Sequence, residues 1–433
     1  MSLDTDLIPS ELARLARDNH VPGAQLAIHH HGRTLTWEFG EVELGTGRTL
    51  QRDTAVPVGS VTKAFTATLA MSLVSDGDLD LDVPVTDQLP ELAALPPDLT
   101  LRHLLSHTGG LTSDSSPDAT TSLRRHALEC CELPLVRAPG TSFSYSNVGY
   151  IVAARLVEAM TGMTWDEAVD AVVLQPLGIT PAFVGPPGSA RTSRPIAAGH
   201  AINRATGAVR PVEQSLALAE AATGALATSA LDLVVFGRMH LVDDVHIVDA
   251  ANLAMMRSPV PGADPFGLAD GWGLGLATFQ GGWLGHDGTA DGTSCHLRIH
   301  PESETVVALT SNSSSGFGVW KQLVGMLHGI GFEVGDHHPV SDNLHPMPSP
   351  TGCLGRYVNG DTEYSVVSAA NDDRLRLAVD GELSAQLTVY DGLMFSIGDL
   401  VTGQHVQFGR FLGNPSGRVD GIQITGRLAS RTS

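Results

Sequence analysis

Lysine is nearly missing from this chain: of its 26 basic residues only Lys63 and Lys321 are lysine, and the rest are arginine. A GC-rich coding bias accounts for most of that imbalance. It also makes a surviving lysine informative, because a buried lysine can lose its proton and an arginine cannot. Positive charge is scarce overall. The formal net charge is -21 with no run of like charges, which excludes the basic patch that nucleic acid or an anionic membrane surface requires. Long apolar runs are absent too, and none approaches the ~18 residues of a membrane span. The first residues, "MSLDTDLIPSELARLARDNHVPGAQ", carry acidic groups where a signal peptide is basic, and they lack an apolar core. A cytoplasmic protein is the expectation. Cysteine is limited to Cys130, Cys131, Cys295 and Cys353. They form no metal spacing and the adjacent pair cannot readily bridge, so free thiols, no metal and no cofactor are expected. What is plentiful is apolar content, 42% of 433 residues, enough for a large core spread over two or three domains.

Three stretches carry chemistry. In "VPVGSVTKAFTATLAMSLVSDG", Val56 to Gly77, the apolar positions Phe65, Leu69 and Leu73 recur at helical spacing and Asp76-Gly77 ends them. Ser60 and Lys63 then share one face of the first helical turn. The hydroxyl can reach the amine, and the free N–H groups of the helix start point at the same spot. That is a nucleophile, a base and part of an oxyanion hole. In "APGTSFSYSNVGYIVAARLVEAMTG", Ala138 to Gly162, a Pro-Gly turn leads to Tyr145-Ser146-Asn147 ahead of a second helix. Tyr145 can relay a proton and Asn147 offers a donor and an acceptor from what reads as an exposed loop. Taken alone, this is an ordinary capped helix start. In "GGWLGHDGTADGTSCHLRIHPESETVVALTSNS", Ser294–His300 and Thr305–Thr310 read as paired strands, with His286 to Thr289 on a strand before them. Gly288 within that strand lets another backbone approach closely, and substrate docked along the edge would use it.

In this order, Ser60-x-x-Lys63, Tyr145-x-Asn147 and His286-x-Gly288 resemble the signature of the penicillin-recognising serine hydrolases. "LRHLLSHTGGL" and "PGTSFSYSNVGY" are similar to segments of its class C β-lactamase, esterase and D-peptidase branch. The resemblance spans roughly residues 10 to 330. It implies an α+β (α/β) fold, a β-lactamase/transpeptidase-like antiparallel sheet with a helical subdomain, over residues 1–333. "GAQLAIHHHGRTLTWEFGE" supplies an alternating hairpin for that sheet, turning at His31-Gly32. His29, His30 and His31 read as polar residues flanking the turn, since nothing joins them into a metal site. Residues 334–352 are a linker by composition, with His337, His338 and His345 expected in solvent. Beyond it, 353–433 alternates strands with Asp-Gly turns, as in the small lipocalin-like β-barrels appended to several relatives.

The implied mechanism is an acyl-enzyme on Ser60, with Lys63 as base and Tyr145 relaying the proton to the leaving group. The N–H groups of Ser60 and Thr289 would hold the oxyanion, and Asn147 the substrate amide. His286 stands where most β-lactamases carry a lysine that binds a substrate carboxylate, which points to esters, thioesters or amides without one. "GHAINRATGAVRPVEQSLALAEAATGALATSALDLV" and "GTSCHLRI" are similar to the penicillin-binding-protein-type thioesterases, the surugamide-cyclase-like subgroup. These take a peptide from a carrier protein and close it head to tail. The leading expectation is therefore peptide macrocyclisation from a peptidyl thioester or ester, with a peptidyl carrier protein as partner. A cytoplasmic esterase or D-amino-acid-directed peptidase is the alternative. A non-catalytic acyl-ligand sensor is a third, disfavoured by intact Lys63 and Tyr145.

Overall fold

The computed structural model describes residues 6–203, 206–241, 247–337, 344–348, 350–369, 372–399, 405–414 and 417–432. Among them, seven strands form one antiparallel sheet. They are β1 (Gly23–His30), β2 (Arg33–Gly40), β3 (Gly271–Trp272), β4 (Ala277–Phe279), β5 (Trp283–Ala290), β6 (Thr293–His300) and β7 (Thr305–Ser311), in the spatial order β2-β1-β7-β6-β5-β4-β3. The N-terminal hairpin thus joins the late strands, with Leu26 opposite Leu309.

Both faces of the sheet are covered, and this overturns the alternating pattern expected of the hairpin. β1 is buried along nearly its whole length. Leu26 and Ile28 enter a core shared with α1 (Ile8–Asp18) and with the helix Gly316–Gly329. α1 buries Ile8, Leu12, Leu15 and Ala16, the apolar stripe of an amphipathic helix. On the other face Gln25 accepts from the Ala230 N–H at the start of the helix Ala230–Arg238. His29 is likewise buried, bonded to Thr34; it does not flank the turn in solvent.

The helical subdomain is built round α2 (Thr62–Asp76). Every residue of α2 from Thr62 to Leu73 is buried, so the helix is core on all sides and the Phe65/Leu69/Leu73 stripe is only part of its apolar surface. Its hydroxyls are absorbed locally: Thr68 and Ser72 donate to Ala64 and Leu69 carbonyls, and Thr66 to the Ala222 carbonyl. Gly77 closes α2 in the left-handed conformation that glycine adopts freely.

The C-terminal part is a closed antiparallel barrel of eight strands running from Gly355–Asn359 to Arg427–Arg431. Gln423 donates to the carbonyls of Phe143 and Asp264 across the junction, and Asn359 donates to Ser113 Oγ. The stretch before the barrel is anchored at its start. Asp336 accepts from Arg298 and Trp320, and His337 bonds Asp270 at 2.8 Å with little exposure. His337 is therefore not the solvated residue expected; His345 is exposed, and His338 lies outside the described residues.

Arg298 has no exposed surface and lies within 2.6 Å of Asp287 and 2.8 Å of Asp336. His296 holds the same Asp287 at 2.8 Å. These charges face away from the helical subdomain, because strand alternation sends Asp287 to one side of β5 and His286 to the other. Arg298→Met leaves two partly buried carboxylates, Asp287 and Asp336, without the guanidinium they share. It should lower stability by about 3–5 kcal/mol, read from the urea unfolding midpoint at pH 7. A change below about 1 kcal/mol would mean that the cluster is not what fixes β5 against the C-terminal helix.

Candidate active site

The nucleophile's turn is wedged between β5 and α2. A single helical turn, Gly59–Val61, precedes α2. Gly59 has φ 51°, and a Cβ there would lie 2.1 Å from the Thr289 carbonyl oxygen and 2.9 Å from the Thr289 amide nitrogen. From the other side, a Cβ on Gly288 would lie 2.0 Å from the Val58 carbonyl and 3.0 Å from the Ser60 amide. The two glycines let two backbones touch, so the amides of Ser60 and Thr289 meet at one junction. The close approach expected at Gly288 is there, but the chain's own Val58–Val61 segment fills it. Thr293 donates to the Pro57 carbonyl at 2.7 Å and pins that segment to β6.

Lys63 has no exposed surface. Its Nζ donates to Ser60 Oγ at 3.1 Å and to the Thr223 carbonyl at 2.8 Å. Burial pulls its pKa from 10.5 down to about 7; the Arg427 charge adds to the fall, and Asp114 and Glu220 oppose it. Near neutral pH a large fraction of Lys63 is the free amine.

Tyr145 lies in the opposite wall, buried rather than loop-exposed. Its N–H donates to the Gly426 carbonyl of the barrel. Its ring stacks on His107 at 4.2 Å, with Lys63 Nζ 5.2 Å and the Arg427 guanidinium 5.2 Å from its centroid. Burial pushes the phenol well above its usual pKa, against the pull of the Ser60 hydroxyl and Arg427. Ser146 caps the next helix, Asn147–Thr161, by accepting from the Gly149 N–H. That frees Asn147, whose Nδ2 donates to Asp114 at 2.6 Å.

His286 completes the ring from β5. Its Nδ1 is 2.6 Å from the Asp287 carbonyl. A carbonyl only accepts, so Nδ1 carries the proton and Nε2 is a bare acceptor. Burial and then the Lys63 charge hold its pKa down to about 4. His107, with its Nδ1 accepting from the Ser146 N–H, has the opposite tautomer. Among the described residues, Tyr145 Oη, Asn147 Oδ1, His286 Nε2 and His107 Nε2 are buried without a protein partner. These are four uncommitted polar atoms where a reacting acyl group would sit.

The structure therefore brings Ser60, Lys63, Tyr145, Asn147, His286, Gly288 and Thr289 to one cleft. Sequence reasoning missed His107, Asp114, the Thr223 carbonyl and Arg427. Only His107 had a signal, the "LSHTGGL" segment, where it takes a positive φ of 57°.

A serine bonded to a buried lysine, on an antiparallel sheet with a helical subdomain, defines a class: serine hydrolases and acyltransferases that work through an acyl-enzyme. The Beta-lactamase family profile matches residues 10–321, and the chain belongs to that family. It is 34% identical over 340 residues to Penicillin-binding protein 4 of Amycolatopsis lactamdurans, covering 73% of this chain and 88% of the relative. Esterase EstB of Burkholderia gladioli is 33% identical over 185 residues, 38% of this chain and 47% of EstB. Among solved structures, SurE superposes with a TM-score of 0.88 at 38% identity, over 99% of this chain and 98% of SurE, and SurE has also been solved with D-Leu.

The lysine's ionisation should appear in the rate. kcat/KM for an activated acyl ester should rise with pH through about 7 as Lys63 loses its proton. Lys63→Arg, permanently charged, should remove at least about 99% of turnover, within the range of a lost general base. A rise displaced to pH 10 or beyond, or a working Arg variant, would make Tyr145 the base.

Proposed function

We propose that this chain is a stand-alone penicillin-binding-protein-type thioesterase that releases a peptide from a carrier-bound thioester by closing it head to tail. Residues 1–333 form the acyl-transfer domain in this reading, 334–352 the connector and 353–433 the barrel domain. Ser60 Oγ attacks the thioester carbonyl and its proton passes to Lys63 Nζ. The N–H groups of Ser60 and Thr289 hold the oxyanion, and Asn147 holds the peptide amide. Collapse breaks the C–S bond, and Tyr145 relays the proton to the departing thiolate, leaving an acyl ester on Ser60. The peptide's own amine then attacks. Its proton goes to Lys63 and returns to Ser60 Oγ as the amide forms. His286 stays neutral and offers an acceptor rather than a cation, which suits a donor whose acyl group bears no free carboxylate.

The observation that carries the reading is the similarity to SurE along the whole chain, barrel included. The barrel's Gly426 carbonyl takes the Tyr145 N–H, so the barrel lies against the cleft wall, and a site that excludes water favours an amine over hydrolysis. The match to EstB keeps a plain esterase as the second reading.

The deciding experiment supplies peptidyl N-acetylcysteamine thioesters with a D-residue at the C-terminus and weighs cyclic against linear product by mass spectrometry. Water at about 55 M competes with an amine whose effective molarity reaches about 10⁵ M when well placed. Macrolactam should dominate. Linear acid throughout, with fast turnover of aryl esters, would favour the esterase. A fluorophosphonate should label Ser60 and should not label Ser60→Ala. That variant should still fold, because a hydroxyl at a helix start contributes only about 1 kcal/mol. Label on another serine would end the acyl-Ser60 reading.

A further inference from the structure

Half of the barrel interior is filled and half is hollow, and the hollow half faces the cleft. At the far end Tyr357, Phe395 and Phe411 are buried, the last two with ring centroids 4.8 Å apart. Gly409 fits there only because it lacks a side chain: a Cβ would lie 2.3 Å from the Phe395 ring. At the near end the lining mixes aliphatic residues with Thr362, Tyr364, Ser384 and Gln407. Ala385, Leu377, Ile397 and Ile424 line a cavity of about 490 Å³ whose rim includes Asp114 and Arg427.

Those two rim residues also belong to the cleft. Asp114 holds Asn147, and Arg427 lies over Tyr145. They approach each other to only 3.7 Å, and both keep a third or more of their side chains exposed. The cavity and the acyl site therefore share Asp114 and Arg427 as neighbours. Protein interiors are close-packed, and a barrel of this size can be filled by its own side chains, as the far half is. The volume falls within the roughly 300–1,000 Å³ of small-ligand sites.

We infer that the barrel cavity receives uncharged side chains of the acyl donor upstream of the reacting carbonyl, so that the barrel selects which peptides are accepted. This rests on the acyl-Ser60 reading above. An extended peptide advances about 3.3–3.6 Å per residue. A chain leaving Ser60 beneath Tyr145 would pass Asp114 and Arg427 before it entered the barrel. The wall mixes aliphatic surface with Thr362, Tyr364, Ser384 and Gln407, and the charges among its described residues are the two at the rim, so the residues it accepts are uncharged and of Leu-like bulk.

The test measures total turnover, cyclic plus linear, so failure to cyclise does not affect it. Peptidyl thioesters with Leu at the second to fifth residues from the reacting carbonyl are compared with versions carrying Gly at each position in turn, and with an acetyl thioester. Gly at one or two positions should lower kcat/KM about tenfold or more, the usual discrimination of a hydrophobic pocket. Ala385→Phe should lower the ratio of Leu-peptide to acetyl turnover by at least the same factor. If that variant fails to fold, the Gly series on the unaltered protein decides alone. A flat Gly series would overturn the inference. So would an Ala385→Phe variant that slows acetyl and peptidyl donors alike, or one that discriminates only between pantetheine and N-acetylcysteamine leaving groups, which would put the thiol arm in the cavity.

Discussion

The site depends on one costly placement: a primary amine with no access to water, three residues from the hydroxyl it serves. An ammonium there has lost its hydration, and the partners that replace it are one hydroxyl and one carbonyl. Neither carries the negative charge that would keep the proton on, which is why the amine becomes a usable base near neutrality. The surroundings follow from this. α2 is buried through Leu73 and cannot lift Lys63 toward solvent. His286, in the same dry space, stays uncharged and does not compete for a counterion. Arg427 adds positive potential from the barrel while Asp114 and Glu220 moderate it, so loops far apart in sequence tune one proton.

The barrel is part of that tuning and not an appendage. Its Gly426 carbonyl takes the Tyr145 N–H, and its Asn359 side chain accepts from the Ser113 N–H and donates to Ser113 and Ser144. These bonds fix the Tyr145 wall of the cleft. Tyr145 is thus held partly by a separate sheet system, and its burial there raises the phenol pKa.

Most of the readable parts of this arrangement were those with a period. Ser60 and Lys63 were legible because helical spacing puts them on one face. His286 was legible through the His-x-Gly element of the family resemblance, which no period supplies. The barrel was announced by its Asp-Gly turns. Residues in loops carried no such signal. Asp114 is a single charge in a loop and Arg427 opens the last barrel strand, and only folding brings them within 3.7 Å. The Thr223 carbonyl has no side-chain signature at all. The hairpin misled for a related reason: Gln25 and His29 give β1 an alternating look, yet both are buried with their polar atoms bonded. Gly288 was read correctly as a place of close approach, but sequence cannot say whether the visitor is substrate or the chain's own backbone.

The scarcity of lysine makes the central claim directly measurable. With lysine labelled at ¹³Cε and ¹⁵Nζ, the protein yields two side-chain signals, one from Lys63 and one from Lys321. Followed by NMR across pH 5 to 11, the Lys63 signal should titrate near 7, far below the value of about 10.4 for a lysine in water. Two signals that both titrate near about 10.4 would show that Lys63 is a permanent cation at neutral pH and would contradict the account.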